Sequence, residues 1–382
     1  QNMKIIYCIS GMYKSGGIER VLAGKANYLV SHGYEVAIVT TDQAGRKDFF
    51  PIDERVKRID LGLNYDELDS LPTWKRYWRT LQMKKTHRAL LTEVLQRERA
   101  DIVVSVLRQE FSFLPTIKDG SKKIFESHTS YYTKVLMYPK EAKLKRFLGL
   151  ARIAYDKTIA QEYDQVVILT HEEVAHWQPI PQVSVIPNSL PFHPSEHAPL
   201  ENKDIIAVGR MEYQKNFPEL LSIWASVAPG YPEWRLHIWG EGYLLDSLKA
   251  QAEKLGIANQ TIFEGVTSDM HKAYADSSIY VMTSHFEGLP MVLLEAQATG
   301  LPIVSYACPS GPRDIVTDGK DGYLITPYDQ DAFKERLIQL MENASLRQAM
   351  GQEAVQSAER FTTEAVMRQW ETLFQSLVNG KH

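Results

Sequence analysis

The sequence predicts an α/β protein built as two parallel-sheet domains facing each other across a cleft. Three observations carry that expectation. Short β-branched runs alternate with longer amphipathic stretches, the pattern of strands buried on both faces beneath helices. A proline-rich connector interrupts the alternation once, after which it restarts. The chain, at 382 residues, is long enough for two cores of ordinary size.

In the first half, "KIIYCIS" (4–10), "EVAIVTT" (35–41), "DIVVSV" (101–106), "KKIFES" (122–127), "QVVILT" (165–170) and "VSVIPN" (183–188) read as buried strands. Helices are expected between them near 18–32, 74–98, 141–162 and 171–177. "PNSLPFHPSEHAPLENKD" (187–204), with four prolines and no apolar periodicity, reads as the connector. Strands then resume with "DIIAVG" (204–209), "WRLHIWG" (234–240), "TIFEGV" (261–266), "IYVMTS" (279–284), "PIVSYA" (302–307) and "GYLIT" (322–326). The expected organisation is a Rossmann-like N-terminal domain over 1–190, a linker over 191–203 and a Rossmann-like C-terminal domain over 204–362. A last helical segment covers 363–382, its return to the N-terminal domain left open. In open α/β sheets ligands bind outside the carboxyl ends of the strands, so those ends are where chemistry is sought.

Composition narrows the classes. A net charge of −4 argues against nucleic acid as a partner. The two cysteines, Cys8 and Cys308, form no CxxC pair; a reducing, cytoplasmic setting is expected, and a cysteine-based zinc site is not. No apolar run approaches the roughly 20 residues of a membrane span, and the opening "QNMKIIYCISG" is wrongly flanked for a secretory signal. Charge is uneven, however. "KRYWRTLQMKKTHR" (75–88) holds six Lys/Arg and no acid, with aromatics interleaved, and 134–152 is nearly as basic. Two solvated helix faces, or a surface resting on anionic lipid at the inner face of the cytoplasmic membrane, both fit.

At the predicted strand ends, Gly16 and Gly17 lead into an amphipathic helix, either a plain flexible turn or a turn whose amides approach an anion. No G-K-[ST] follows, so this is not a P-loop. "VGRMEYQKN" (208–216) places Arg210 and Lys215 beyond a strand, two cations suited to a diphosphate. "IWGEGYLLDSL" begins like a dinucleotide fingerprint but has Leu245 at the third glycine position, which weakens an NAD reading. "HFEGLPMVLLEAQATGLP" (285–302) holds Glu287 and Glu295 with seven residues between them. Pro290 suits a first helical position and Gly300 the residue after the last, predicting a helix over 290–299. Its free amides, from Met291 and Val292, point toward Gly288 and Leu289, ready for a phosphate oxygen. Carboxylates accept from sugar hydroxyls and repel phosphate, so Glu287 and Glu295 are expected on sugar. Glu295 sits in a helix apolar nearly all round and needs a partner. His128, just past a strand in "FESHTS", is either structural or bonded to a reacting sugar or its acceptor. "HEEVAH" (171–176) spaces its histidines wrongly to share a metal, and "DQD" (329–331) reads as a helix N-cap before a metal motif.

Taken in order, "SGGIER", "ESH", "IPN", "VGRMEYQKN", "WGEG" and above all "EGLPMVLLEAQATGLPIV" resemble the retaining family-4 glycosyltransferases of the GT-B fold, over essentially the whole chain. The resemblance implies that Arg210 and Lys215 hold the donor diphosphate, that Glu287 meets the donor sugar, and that Glu295 takes the ribose hydroxyls. It further implies that His128 lies beside the donor sugar, that Gly16 and Gly17 approach the phosphates, and that backbone at Gly265 and Val266 reads the base. The implied activity is transfer of a hexose or N-acetylhexosamine, from a UDP-sugar by preference, to a saccharide or lipid-linked saccharide in bacterial cell-surface polysaccharide synthesis. The N-terminal domain would carry the acceptor. No metal or cofactor is expected; the nucleotide sugar is a substrate. "EGLP" departs from the commoner Gly-Phe-Gly form and Asp314 stands where Glu is frequent; similar "GP" variants resemble those of enzymes that use UDP-linked galactose-type or N-acetylhexosamine donors, with GDP-mannose and UDP-glucose left open. A nucleotide-sugar 2-epimerase, a dehydrogenase and a non-catalytic nucleotide-sugar sensor are the alternatives.

Overall fold

The computed structural model describes residues 2–106 and 109–380; positions 381 and 382 of the expected last segment lie outside them. The first half runs β1 (Lys4–Ile9), α1 (Gly17–Ser31), β2 (Glu35–Thr40), β3 (Lys57–Asp60), α2 (Thr73–Glu98), β4 (Ile102–Ser105), β5 (Lys122–Glu126), α3 (Thr133–Leu136), α4 (Lys143–Ala160), β6 (Gln165–Ile168), α5 (Val174–Trp177) and β7 (Val183–Val185). The second runs β8 (Asp204–Val208), α6 (Phe217–Val227), β9 (Arg235–Trp239), α7 (Leu245–Lys254), β10 (Thr261–Gly265), α8 (Met270–Ala275) and β11 (Ile279–Met282). It continues with α9 (Met291–Thr299), β12 (Ile303–Tyr306), α10 (Pro312–Ile315), β13 (Gly322–Ile325), α11 (Gln330–Glu342) and α12 (Ala344–Ala358), and α13 (Thr363–Asn379) closes the chain.

Both sheets are parallel, ordered β3-β2-β1-β4-β5-β6-β7 and β10-β9-β8-β11-β12-β13. Each predicted strand is present, although β7, expected to be buried, is an edge strand whose three residues are only half-buried. The exception in the other direction is β3, "KRID", which the sequence does not announce: it is an edge strand with no fully buried position, so it needs no β-branched run. In each sheet the chain lays strands to one side of its first strand and then crosses to the other, so the order reverses at β1/β4 and β8/β11. Such a reversal opens a crevice at the strands' carboxyl ends.

The N-terminal core joins β1, β2 and α1 to the last helix: Val366, Met367, Trp370 and Phe374 of α13 are fully buried among Ile5, Leu22 and Leu29. α13 therefore leaves the second half and packs on the first. α9 is buried nearly all round, Leu293, Leu294 and Ala296 being inaccessible. It begins one residue later than expected, with Pro290 at its N-cap, and ends at Gly300, whose φ of +88° favours glycine.

Candidate active site

The loops after β8 and β11, neighbours across the second reversal, bring together Arg210, Lys215 and Glu287. Lys215 Nζ donates to Glu287 Oε1 at 2.8 Å. The lysine stem crosses the strand end over Gly209, where a Cβ would lie 2.8 Å from Lys215 Cδ; the missing side chain lets it pass. Glu287 also accepts from Ser284 Oγ at 2.7 Å and from Gln214 Nε2 at 3.4 Å. Its backbone is tied to the loop after β12, N–H to Pro309 O at 2.7 Å and O from Ser310 N at 3.0 Å. Glu287 is buried and paired, as a buried carboxylate must be. Arg210, by contrast, has a side chain 71% exposed, with Glu212 at 3.2 Å.

Beside Glu287 stands the start of α9. Among the described residues the amides of Met291 and Val292 meet no acceptor, the usual state of a first helical turn; Leu289 is buried just before them. Gly288 is one of the places where the domains touch. A Cβ there would lie 3.0 Å from His128 O and 3.5 Å from Ser130 N. The loop carrying His128 is held by Glu173, which accepts from Ser130 Oγ at 2.7 Å and Tyr131 N at 2.8 Å. His128 Nε2 lies 3.2 Å from Glu126 Oε1.

Glu295, one turn into α9, has the partner its burial demands. Tyr274 donates to Oε2 at 2.8 Å, and Arg20 of α1, in the other domain, approaches Oε1 at 3.6 Å. Burial pushes its carboxyl up, against the pull of the Tyr274 bond and the Arg20 charge. Neither Tyr274 nor Arg20 was singled out from the sequence; Arg20 stands inside "GGIER", but nothing local marks it as a cross-domain cation.

Other expected positions are placed as follows. Gly16 caps α1, and a Cβ on it would meet Glu19 Oε2 at 2.2 Å, whereas Gly17 faces open space. Gly265 ends β10 with φ +75°, its carbonyl accepting from Gly240 N at 2.7 Å; Val266 is exposed. "WGEG" packs backbone on backbone against the loop after β8, where a Cβ on Gly240 would strike Gly209 O at 2.0 Å. Its glycines serve close packing here. Asp329 of "DQD" caps α11, accepting from Ala332 N at 3.0 Å. In "HEEVAH", His171 reaches Asp314 of the other domain, its Nδ1 at 2.9 Å, and Glu173 anchors the His128 loop.

Two facing parallel sheets, with cations, carboxylates and a helix N-terminus gathered at the order reversal, make up a two-domain GT-B architecture. The comparisons name the family. Residues 15–191 match glycosyltransferase family 4, and 191–357 match glycosyl transferases group 1. The chain is 30% identical over 377 residues to an uncharacterized glycosyltransferase of Haemophilus influenzae, covering 96% of this chain and 98% of that protein. It is 27% identical over 379 residues to the amylovoran biosynthesis glycosyltransferase AmsD of Erwinia amylovora, with coverage of 96% and 98%. The solved lipopolysaccharide outer core galactosyltransferase WaaB superimposes over the full length of both chains with a TM-score of 0.75 at 21% identity. This chain belongs to glycosyltransferase family 4.

Proposed function

We propose that the protein is a retaining, metal-independent hexosyltransferase that carries a hexose or N-acetylhexosamine from a UDP-sugar to a saccharide or lipid-linked saccharide in cell-surface polysaccharide synthesis. One observation carries this reading: the Lys215–Glu287 pair set against the open amides of α9, at the end of β8 and β11. When a nucleoside diphosphate leaves, charge grows on its β-phosphate. Lys215, Arg210 and the α9 amides are cations and dipoles fixed in advance for that charge, which supplies the role a divalent ion would otherwise fill. Glu287 takes donor-sugar hydroxyls and Glu295 the ribose diol, each an acceptor only. His128, across Gly288, borders the donor sugar. Gly16 and Gly17 approach the phosphates, and Gly265 and Val266 the base. The departing phosphate oxygen deprotonates the acceptor hydroxyl on the same face, which gives retention without a carboxylate nucleophile. The relatives' names, amylovoran biosynthesis among them, support the setting in surface polysaccharide.

The acceptor side rests on an anionic membrane in this reading. No helix of the described residues is long and apolar enough to cross one. Trp74, Tyr77, Trp78 and Leu81 share one face of α2 at helical spacing and are all exposed; Leu144, Phe147, Leu148 and Tyr155 do the same on α4. Exposed Lys75, Arg79 and Lys85 flank the first set, a combination suited to lipid headgroups.

Thermal shift with UDP, GDP and a panel of UDP- and GDP-sugars, followed by product analysis with and without acceptor, tests the function. Stabilisation by UDP and slow hydrolysis of one UDP-sugar without acceptor are expected. Stabilisation by GDP alone would move the donor class, and isomerised donor would make the protein an epimerase.

A further inference from the structure

Beneath His128 lies a charged network that the transfer reaction, as derived above, does not use. Lys25 of α1 is 3% exposed and donates to Glu126 Oε1. Glu126, the last residue of β5, is 1% exposed, and the same Oε1 stands 3.2 Å from His128 Nε2. Trp370 of α13 covers the ammonium with its ring centroid 4.0 Å away, a cation–π contact in a dry setting. Tyr7 of β1 faces the same carboxylate, which together with burial keeps the phenol protonated. The His128 side chain is only 5% exposed, yet its Nδ1 has no hydrogen-bond partner among the described residues.

A pair of this kind is an expensive way to hold a helix to a strand, since apolar residues of similar volume usually do so at least as well. Its geometry has another consequence. An ionised carboxylate only accepts, so a short contact to His128 Nε2 requires a proton on that nitrogen. Lys25 also cancels the charge of Glu126. Without it, a naked buried carboxylate would draw a second proton onto the ring. We propose that Lys25 and Glu126 are positioning residues that fix the His128 ring proton on Nε2, leaving the Nδ1 lone pair as the acceptor for a substrate hydroxyl. Trp370 ties this setting to α13, the helix that joins the halves. Burial pushes the Lys25 ammonium down; burial works to raise the Glu126 carboxyl, but the Lys25 charge and the bonds from Lys25 and His128 Nε2–H hold it below the usual range.

The test reads the ring itself and needs no donor. In full-length protein labelled with 15N-histidine, the His128 signals are assigned by their loss in His128→Gln. Ring shifts are then followed with pH in wild type, Lys25→Met and Glu126→Gln. Wild type is expected as the Nε2–H tautomer. Lys25→Met is expected to raise the protonation midpoint of His128 by about 1–3 pH units, and Glu126→Gln to lower it. An Nδ1–H tautomer in wild type overturns the proposal whether or not either variant folds. An unmoved midpoint in both folded variants overturns it too, and reduces the pair to a structural tie. Because the readout is spectroscopic, a wrong donor assignment leaves it unaffected.

Discussion

Lys215 and Arg210 leave the same strand end in different degrees of burial, and their variants should separate accordingly. Arg210 is mostly exposed and, among the described residues, paired only with Glu212, so Arg210→Ala is expected to leave stability within about 0.5 kcal/mol. If it stabilises the leaving diphosphate, kcat falls about 10²–10³-fold. Lys215→Met removes the cation from buried Glu287, leaving Ser284 and Gln214 to hold the carboxylate; it is expected to cost about 3 kcal/mol or more as well as activity. Urea midpoints beside turnover check both, and equal midpoints for the two variants would refute the contrast. Glu295 yields a pH dependence. Burial raises its folded-state pKa above the unfolded value, so the stability it contributes is fully present below the unfolded pKa of about 4.3 and is lost as pH rises through the folded one. If Glu295 takes the ribose diol, it does so as the ionised acceptor, and UDP affinity should then fall as pH drops through that same raised value. Tyr274→Phe removes a bond that favours the carboxylate, and should move this acid limb to higher pH; calorimetric titration with UDP reads it, and an unmoved limb counts against the ribose role. Glu295 stands out in the sequence because the helix around it is apolar nearly all round, whereas Arg210 and Lys215, in a polar loop, stand out only by their place just beyond β8. Tyr274 and Arg20 do not, because each reaches Glu295 from a distant segment and neither is unusual where it stands.

At the scale of elements, the strands were readable wherever both faces are covered, since burial selects an unbroken β-branched run. β3 escaped because an edge strand with polar residues on both faces has no such run to show. α9 was readable from its flanking proline and glycine, although Pro290 caps the helix and does not open it. The "DQD" segment shows how placement on an element decides a motif. Asp329 satisfies the first-turn amide of Ala332, so Asp329→Ala is expected to cost about 1 kcal/mol. Turnover should stay at the wild-type level with or without added Mn²⁺. A loss of activity restored by metal would return the carboxylate to catalysis, and an unchanged denaturation midpoint would show the cap to be idle.

The whole molecule is held together by contacts that no local pattern announces. Asp314 with His171, Arg313 with Glu172 at 3.0 Å, Arg20 with Glu295, and Gly288 against the His128 loop all cross between halves. Each depends on how two sheets meet, and sheet-level periodicity carries no record of that. The same geometry turns the basic aromatic stretches from a compositional oddity into a surface. From Thr73 to Arg79 every residue of α2 is exposed, and the helix is buried firmly only from His87 onward. Its first turns therefore project from the domain with three large aromatics outward. Lys84, central to the basic run in the sequence, is partly buried and donates to Ser112 at 3.1 Å; it is a poor choice for a headgroup contact. Lys75, Arg76, Arg79, Lys85 and Arg88 are the exposed cations of the basic run, and Lys75, Arg79 and Lys85 are the three to replace. At about 1 kcal/mol per charge near an anionic surface, replacing all three with Gln should weaken binding to phosphatidylglycerol vesicles about 10²-fold. Weak binding to phosphatidylcholine vesicles should stay unchanged. Trp74→Ala with Trp78→Ala should weaken binding to both, because the rings enter the interface whatever the headgroup charge. Flotation with the purified, folded variants distinguishes the two effects. Wild-type protein that floats with neither vesicle would leave these helices as solvated faces, and the acceptor would then be a free saccharide.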